Sequence, residues 1–225
     1  MRYLSYITII GICVFASLIV NVNAAGLRPP VSSHPSEQEL SVRSMSLNDR
    51  YPQPGVNAVF RENILLALSY LAGKVPDPTH ISWQEVNKPS QFGITLSPGE
   101  VFAFHDKVLQ QFLGYKLLVS HAHFSASDGF LSDGYLYGDG VCHLASLLNW
   151  AARDAGLTVV APTKHDFAVI PDIPAAYGTA IYTAPAEPEA SALQNLYIEN
   201  TFKEPARFVF EYSNNDLKVS IYREL

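Results

Sequence analysis

Cysteine is nearly absent from this sequence. Only Cys13 and Cys142 occur, so no multi-disulfide framework can hold the fold. Charge is scarce too: 16% of residues are charged and 48% apolar, against ~25% charged in an average soluble chain. That balance excludes a disordered protein. There is no basic excess either, since 15 Lys and Arg face 21 Asp and Glu for a net charge of −6. A chain with so few cations is not expected to neutralise phosphates, so nucleic acid is not an expected partner. Phosphate-binding glycine loops, internal repeats and amphipathic membrane helices are missing as well. What is plentiful is aromatic surface: 12 Tyr, 12 Phe and 2 Trp can fill a core and still line a glycan groove. The 225 residues suit one domain, or at most two.

One long apolar run exists. Tyr6 to Val20 follows Arg2 and ends in Asn21-Val22-Asn23-Ala24. It is shorter than the ~20 residues that span a bilayer comfortably, and the small residues Val22 and Ala24 fit a signal-peptidase site. Residues 1–24 are therefore expected to be a signal peptide of a secreted or extracytoplasmic envelope protein. The alternative is an uncleaved anchor, and membrane contact is then expected through this segment only. Cleavage removes Cys13 and leaves Cys142 as the sole thiol of an exported chain. Such a thiol is either buried and inert or kept for its reactivity.

Residues 25–56 are rich in Pro and Ser, with Pro29-Pro30, His34-Pro35 and Pro52-Gln53-Pro54-Gly55. They read as a linker, with a short strand over 41–47. The domain follows over 57–225. Apolar spacing predicts helices over 62–72, 106–113 and 141–155, and strands over 101–104, 115–124, 157–160, 168–170, 179–183, 196–200, 206–212 and 217–223. Residues 76–96 and 125–140 read as loops. Helices come early and strands crowd the end. The expected class is α+β: a central, mostly antiparallel sheet, with the helix that starts at Gly138-Asp139-Gly140-Val141-Cys142 packed on it.

That helix carries the chemistry. Val141, Leu144, Ala145, Leu148, Ala151, Ala152 and Ala155 form one apolar stripe. Cys142 falls off it, beside Ser146, Asn149 and Arg153. A thiol in a first turn meets unpaired N–H groups and a partial positive charge, which favour the thiolate and can hold an oxyanion. Gly138 and Gly140 let substrate approach the backbone, and Ser146 lies on the same flank as a further substrate contact. Asp139 opposes this by raising a neighbouring thiol's pKa. A cysteine nucleophile needs a base. His165 can return to the helix start after the next strand. His143 adjoins Cys142 but points about a hundred degrees away round the helix. Asp166 faces away from His165 on an extended backbone. A different class of site is open as well: His121 and His123, on one face of a strand, could join Cys142, His143 or His165 around zinc.

Gly138-Asp139-Gly140-Val141-Cys142-His143 resembles the signature of the VanW-like family, Gly-Gly-Gly-(Val/Ile)-Cys-Gln. The similarity continues through Leu144 to Ala152, through Ala155-Gly156-Leu157, and to His165, which keeps its spacing from the cysteine. Upstream, Arg61-x-Asn63-Ile64, Pro98-Gly99-Glu100-x-Phe102-x-Phe104 and Gly114-Tyr115-Lys116 are similar to family segments. Downstream, Leu196 to Thr201 with Pro205 resembles its closing strands. The departures are His143 for Gln, Ala161-Pro162 for Glu-Arg, and Tyr177 for an Asp. The resemblance implies a vancomycin-resistance-associated envelope protein of bacterial type. For some members it implies L,D-transpeptidase-like chemistry on peptidoglycan through the cysteine. On that footing Cys142 would form a thioester with a stem peptide, with His165 as base and His143 as the fallback, and no cofactor is expected. A non-catalytic peptidoglycan-binding module and a zinc protein using His121, His123 and Cys142 stay open beside it.

Overall fold

The computed structural model describes residues 36–225, so the expected signal peptide lies outside the described residues. In chain order the elements are β1 (Glu37–Ser46), α1 (Pro54–Leu71), α2 (Trp83–Val86), β2 (Ser90–Leu96), β3 (Val101–Ala103), β4 (Leu117–Val119), α3 (Val141–Asp154), β5 (Thr158–Val160), α4 (Pro188–Leu193), β6 (Tyr197–Glu199), β7 (Ala206–Ser213) and β8 (Asp216–Glu224).

The last two strands show how local chemistry sets the frame. Asn214 and Asn215 both adopt positive φ, 54° and 62°, the backbone that a tight hairpin demands and that asparagine tolerates. The turn fixes the register, pairing Phe208 with Ile221, Phe210 with Val219 and Tyr212 with Leu217. These six residues share one buried face, while Arg207 and Glu211 alternate outward. β1 joins β8 and β2 joins β7, both antiparallel, giving the order β1-β8-β7-β2.

The apolar stripe of α3 packs on β1, β8 and α1. Ser41 of β1 fastens that contact by donating to the Ala151 carbonyl at 2.7 Å. In α1, every residue from Asn63 to Tyr70 is buried, as expected of a helix enclosed on all sides rather than laid on a surface. A second, mixed sheet has the order β4-β3-β6-β5, with β3 and β4 parallel. The class is α+β with the helix packed on a sheet, and the strands divide between two four-stranded sheets.

Several elements differ from expectation. The linker over 25–56 becomes ordered structure from Glu37 onward: β1 is a polar edge strand whose exposed face mimics linker composition, and α1 already starts at Pro54. The loop over 76–96 contains α2 and β2. The helix over 106–113 is a single 3-10 turn, Gln110–Phe112. Its approach is captured instead by Asn195, which donates to the carbonyls of His105 and Lys107, and by Tyr197, whose hydroxyl accepts the Leu109 N–H. The strand over 115–124 ends at Val119. His121 and Phe124 take positive φ, 59° and 54°, so the two histidines do not share a strand face. Residues 168–170 and 179–183 form no strands, because the latter segment bonds to α3 instead of to a ladder.

Candidate active site

The site forms where α3 begins. Gly140 caps the helix at φ 98°, and a Cβ there would lie 2.6 Å from the Phe60 carbonyl oxygen. Only glycine lets the chain turn into α3 while lying directly on α1. The preceding loop is held by Asn63 of α1, fully buried. It accepts the Leu131 N–H and donates to the carbonyls of Leu131 and Asp139.

Cys142 is half-buried in the first turn. Its sulfur accepts the Ile181 N–H at 3.3 Å and faces the Ile181 carbonyl at 3.6 Å. The same segment bonds along the whole polar flank of α3. Ser146 Oγ accepts the Thr179 N–H at 2.9 Å and donates to the Cys142 carbonyl, while Asn149 donates to Thr179 Oγ1 and the Tyr177 carbonyl. Arg153 in turn donates to Asn149 Oδ1. The polar flank of α3 is thus a seam. Ser146, expected to touch substrate, is fully buried with its hydroxyl committed to that seam.

An open cleft of about 430 Å³ runs over the helix start. Its lining includes Cys142, His143 and His165, with Gly138, Asp139 and Gly140 beside them; neither imidazole is hydrogen-bonded to the thiol, whose partners are the Ile181 N–H and carbonyl. Both imidazoles are buried, and each has a buried Nδ1 without a hydrogen-bond partner. Their ring centroids are 6.0 Å apart, edge to face. Phe60 packs against His143 at 5.2 Å and Phe167 against His165 at 4.0 Å. An exposed collar of Tyr135, Leu136, Tyr137, Phe167 and Tyr182 surrounds the mouth, and Tyr135 is 92% exposed.

The electrostatics are those of a neutral site at rest. Burial pushes the Cys142 thiol up to about 11, partly offset by the Ile181 N–H and reinforced by the charge of Asp139. Burial lowers His143 to about 3, with Arg50 and His165 adding to the effect, and it lowers His165 too. Asp139 is raised to about 6 by burial and by Asp133. Of the first-turn amides expected to form an oxyanion hole, those of Val141 and His143 are taken up by the Gly138 and Gly140 carbonyls. At the position of the family's Asp, Tyr177 stacks on Trp150 at 5.8 Å.

The zinc alternative finds no support in the geometry. His121 is exposed, and His123 lies between Asp106 and Asp128, at 3.3 and 3.2 Å. Among the described residues no group of three His, Cys, Asp or Glu side chains is arranged to hold a metal ion.

Sequence reasoning missed three contributors. Arg50, inside the expected linker, is a fully buried guanidinium tied to Asp172 and the Pro171 carbonyl. Asn63 carried only the family resemblance as a signal. Ile181 acts through its backbone, which leaves no side-chain signature.

No helix of the described residues is long and apolar enough to cross a membrane. No curated protein and no solved structure matches the chain significantly. One family model does: VanW, described as VanW like protein, matches residues 86–222, well over half of the chain, with α3, Cys142 and His165 inside the match. Membership of that family suggests an envelope protein of the vancomycin-resistance-associated kind. The chain belongs to the VanW family.

Proposed function

We propose that this protein is an exported envelope enzyme that performs cysteine-dependent acyl transfer on peptidoglycan stem peptides. The observation that carries the reading is the shared cleft: one half-open thiol and two buried imidazoles, each with an unpartnered ring nitrogen. Buried polar atoms without partners cost stability, so a site that keeps two of them is one that a ligand completes.

Because thiol and imidazoles are neutral at rest, the proton moves as the sulfur attacks. Cys142 Sγ bonds to the peptide carbonyl carbon while its proton passes to His165, with His143 as the alternative base. The imidazolium then protonates the departing amine, the C–N bond breaks and a thioester remains. An amine of a second stem, or water, attacks the thioester and releases the thiol.

A second reading is favoured by the thiol's high pKa and by the absence of a carboxylate bonded to either imidazole among the described residues. It is a non-catalytic peptidoglycan-binding module whose exposed collar grips the wall. The Cys142→Ser variant separates the two. Acyl transfer predicts a folded variant that forms no acyl adduct by intact mass and leaves muropeptides unlinked. An unchanged muropeptide profile, with sacculus binding retained, would overturn the enzymatic reading and leave the binding module.

A further inference from the structure

The cleft has an unusual charge character. Among the described residues, Asp139 is the only Asp, Glu, Lys or Arg in its lining. The Arg50 guanidinium, whose charge His143 feels, is fully buried and committed to Asp172 and the Pro171 carbonyl. Asp139 is half-buried; its carboxylate accepts the Asp133 N–H at 3.3 Å and lies beside the Asp133 carboxyl, an arrangement that adds negative charge at this end of the cleft for a cation to meet. It lies near enough to Cys142 for its charge to oppose ionisation of the thiol. The unpartnered Nδ1 atoms of His143 and His165, both on side chains more than nine-tenths buried, suit the N–H and C=O groups of a peptide rather than an ion.

We propose that the cleft selects ligands by charge: Asp139 holds the primary ammonium of an amine-bearing peptide beside Cys142, and no wall residue answers a carboxylate. This rests on the acyl-transfer reading only in naming the ligand as a peptide. In that reaction the bound ammonium is the acceptor. It gives one proton to Asp139, its nitrogen attacks the thioester carbon, the C–S bond breaks, the thiolate recovers that proton from the carboxyl, and the second proton of the attacking nitrogen passes to the neutral His165 and from there to solvent. The opposite preference, for a free carboxylate, would need a cation that the lining does not contain.

The test is calorimetric titration of the full chain with three end-blocked tripeptides: acetyl-Ala-Lys-Ala-amide, its Nε-acetyl-lysine derivative, and acetyl-Ala-Glu-Ala-amide. The lysine peptide should bind about tenfold tighter than either comparison, the ratio that a partly buried ion pair supports. Asp139→Asn, which keeps an acceptor for the Asp133 N–H, should erase the preference, and Cys142→Ser should preserve it. Equal affinities, a preference that survives Asp139→Asn, or no binding by any peptide at millimolar concentration would overturn the proposal. A preference that persists in a protein whose Cys142→Ser variant leaves muropeptides unchanged would refute acyl transfer while the charge selection stands.

Discussion

The reactivity of Cys142 as a function of pH is the sharpest check on the electrostatic account. The ordinary thiol value is 9.0, and burial takes this one to about 11. A rise of about two units lowers the thiolate fraction about 100-fold at any pH below the ordinary value. At pH 7.5 roughly 0.03% of the site is ionised, against roughly 3% for a free thiol. The measurement is the second-order rate of iodoacetamide alkylation of the folded protein from pH 6 to 11, read by intact mass, with glutathione as the free-thiol reference. Alkylation should run about two orders of magnitude slower than the reference at neutral pH and keep climbing past pH 10. Asp139→Asn should accelerate it, because a charge that opposes ionisation is gone. A rate that levels off below pH 8 would mean a preformed thiolate–imidazolium pair. The site would then be charged at rest, and the thiol proton would already have left before the sulfur attacks.

Two further expectations concern stability. His143 and His105 are kept neutral by burial, with pKa values lowered from 6.5 to about 3 and about 4. The unfolded chain takes up these protons near pH 6.5 while the folded chain refuses them, so stability is full above that pH and drains away as acid approaches pH 4. Each histidine accounts for a loss of about 3 kcal/mol by then, so His105→Gln and His143→Gln should each flatten the pH dependence of the urea midpoint, and a midpoint constant from pH 7 to 4 would refute the argument. Arg50→Ala removes a side chain with no exposed surface and its pairing to Asp172. The expected cost is roughly 3 kcal/mol by urea unfolding. Asp172→Asn should cost no less, since it strands the guanidinium, and a neutral outcome for both would show the pair to be expendable.

How much was legible follows from where side chains carry the signal. α3 and the β7–β8 hairpin were readable within a residue or two, because 3.6-residue and two-residue periodicities there coincide with burial. β1 was readable in its second half only, as the short strand expected over 41–47; its first residues scan as linker because an edge strand keeps one polar face. β2 was hidden behind three prolines and sparse apolar periodicity over 76–96, and its Gly93 carries no side chain where a Cβ would lie 3.1 Å from the Phe208 carbonyl oxygen. Of the site, Cys142 at a helix start and the return of His165 were legible from spacing. Polarity alone could not tell Ser146 from a ligand contact. A buried hydroxyl that receives a backbone N–H from a segment 33 residues later has the same local sequence as an exposed one.

The pairing of β1 with β8 has a practical corollary for anyone excising this fold. A fragment begun at residue 57, or at the start of the family match at 86, would leave β8 with a bare row of amides and carbonyls over a hydrophobic face. Such a rim invites self-association, and the Ala151 carbonyl of α3, which also accepts the Ala155 N–H, would lose the Ser41 hydroxyl as its second donor. The shortest piece that keeps its own margins covered starts ahead of Glu37.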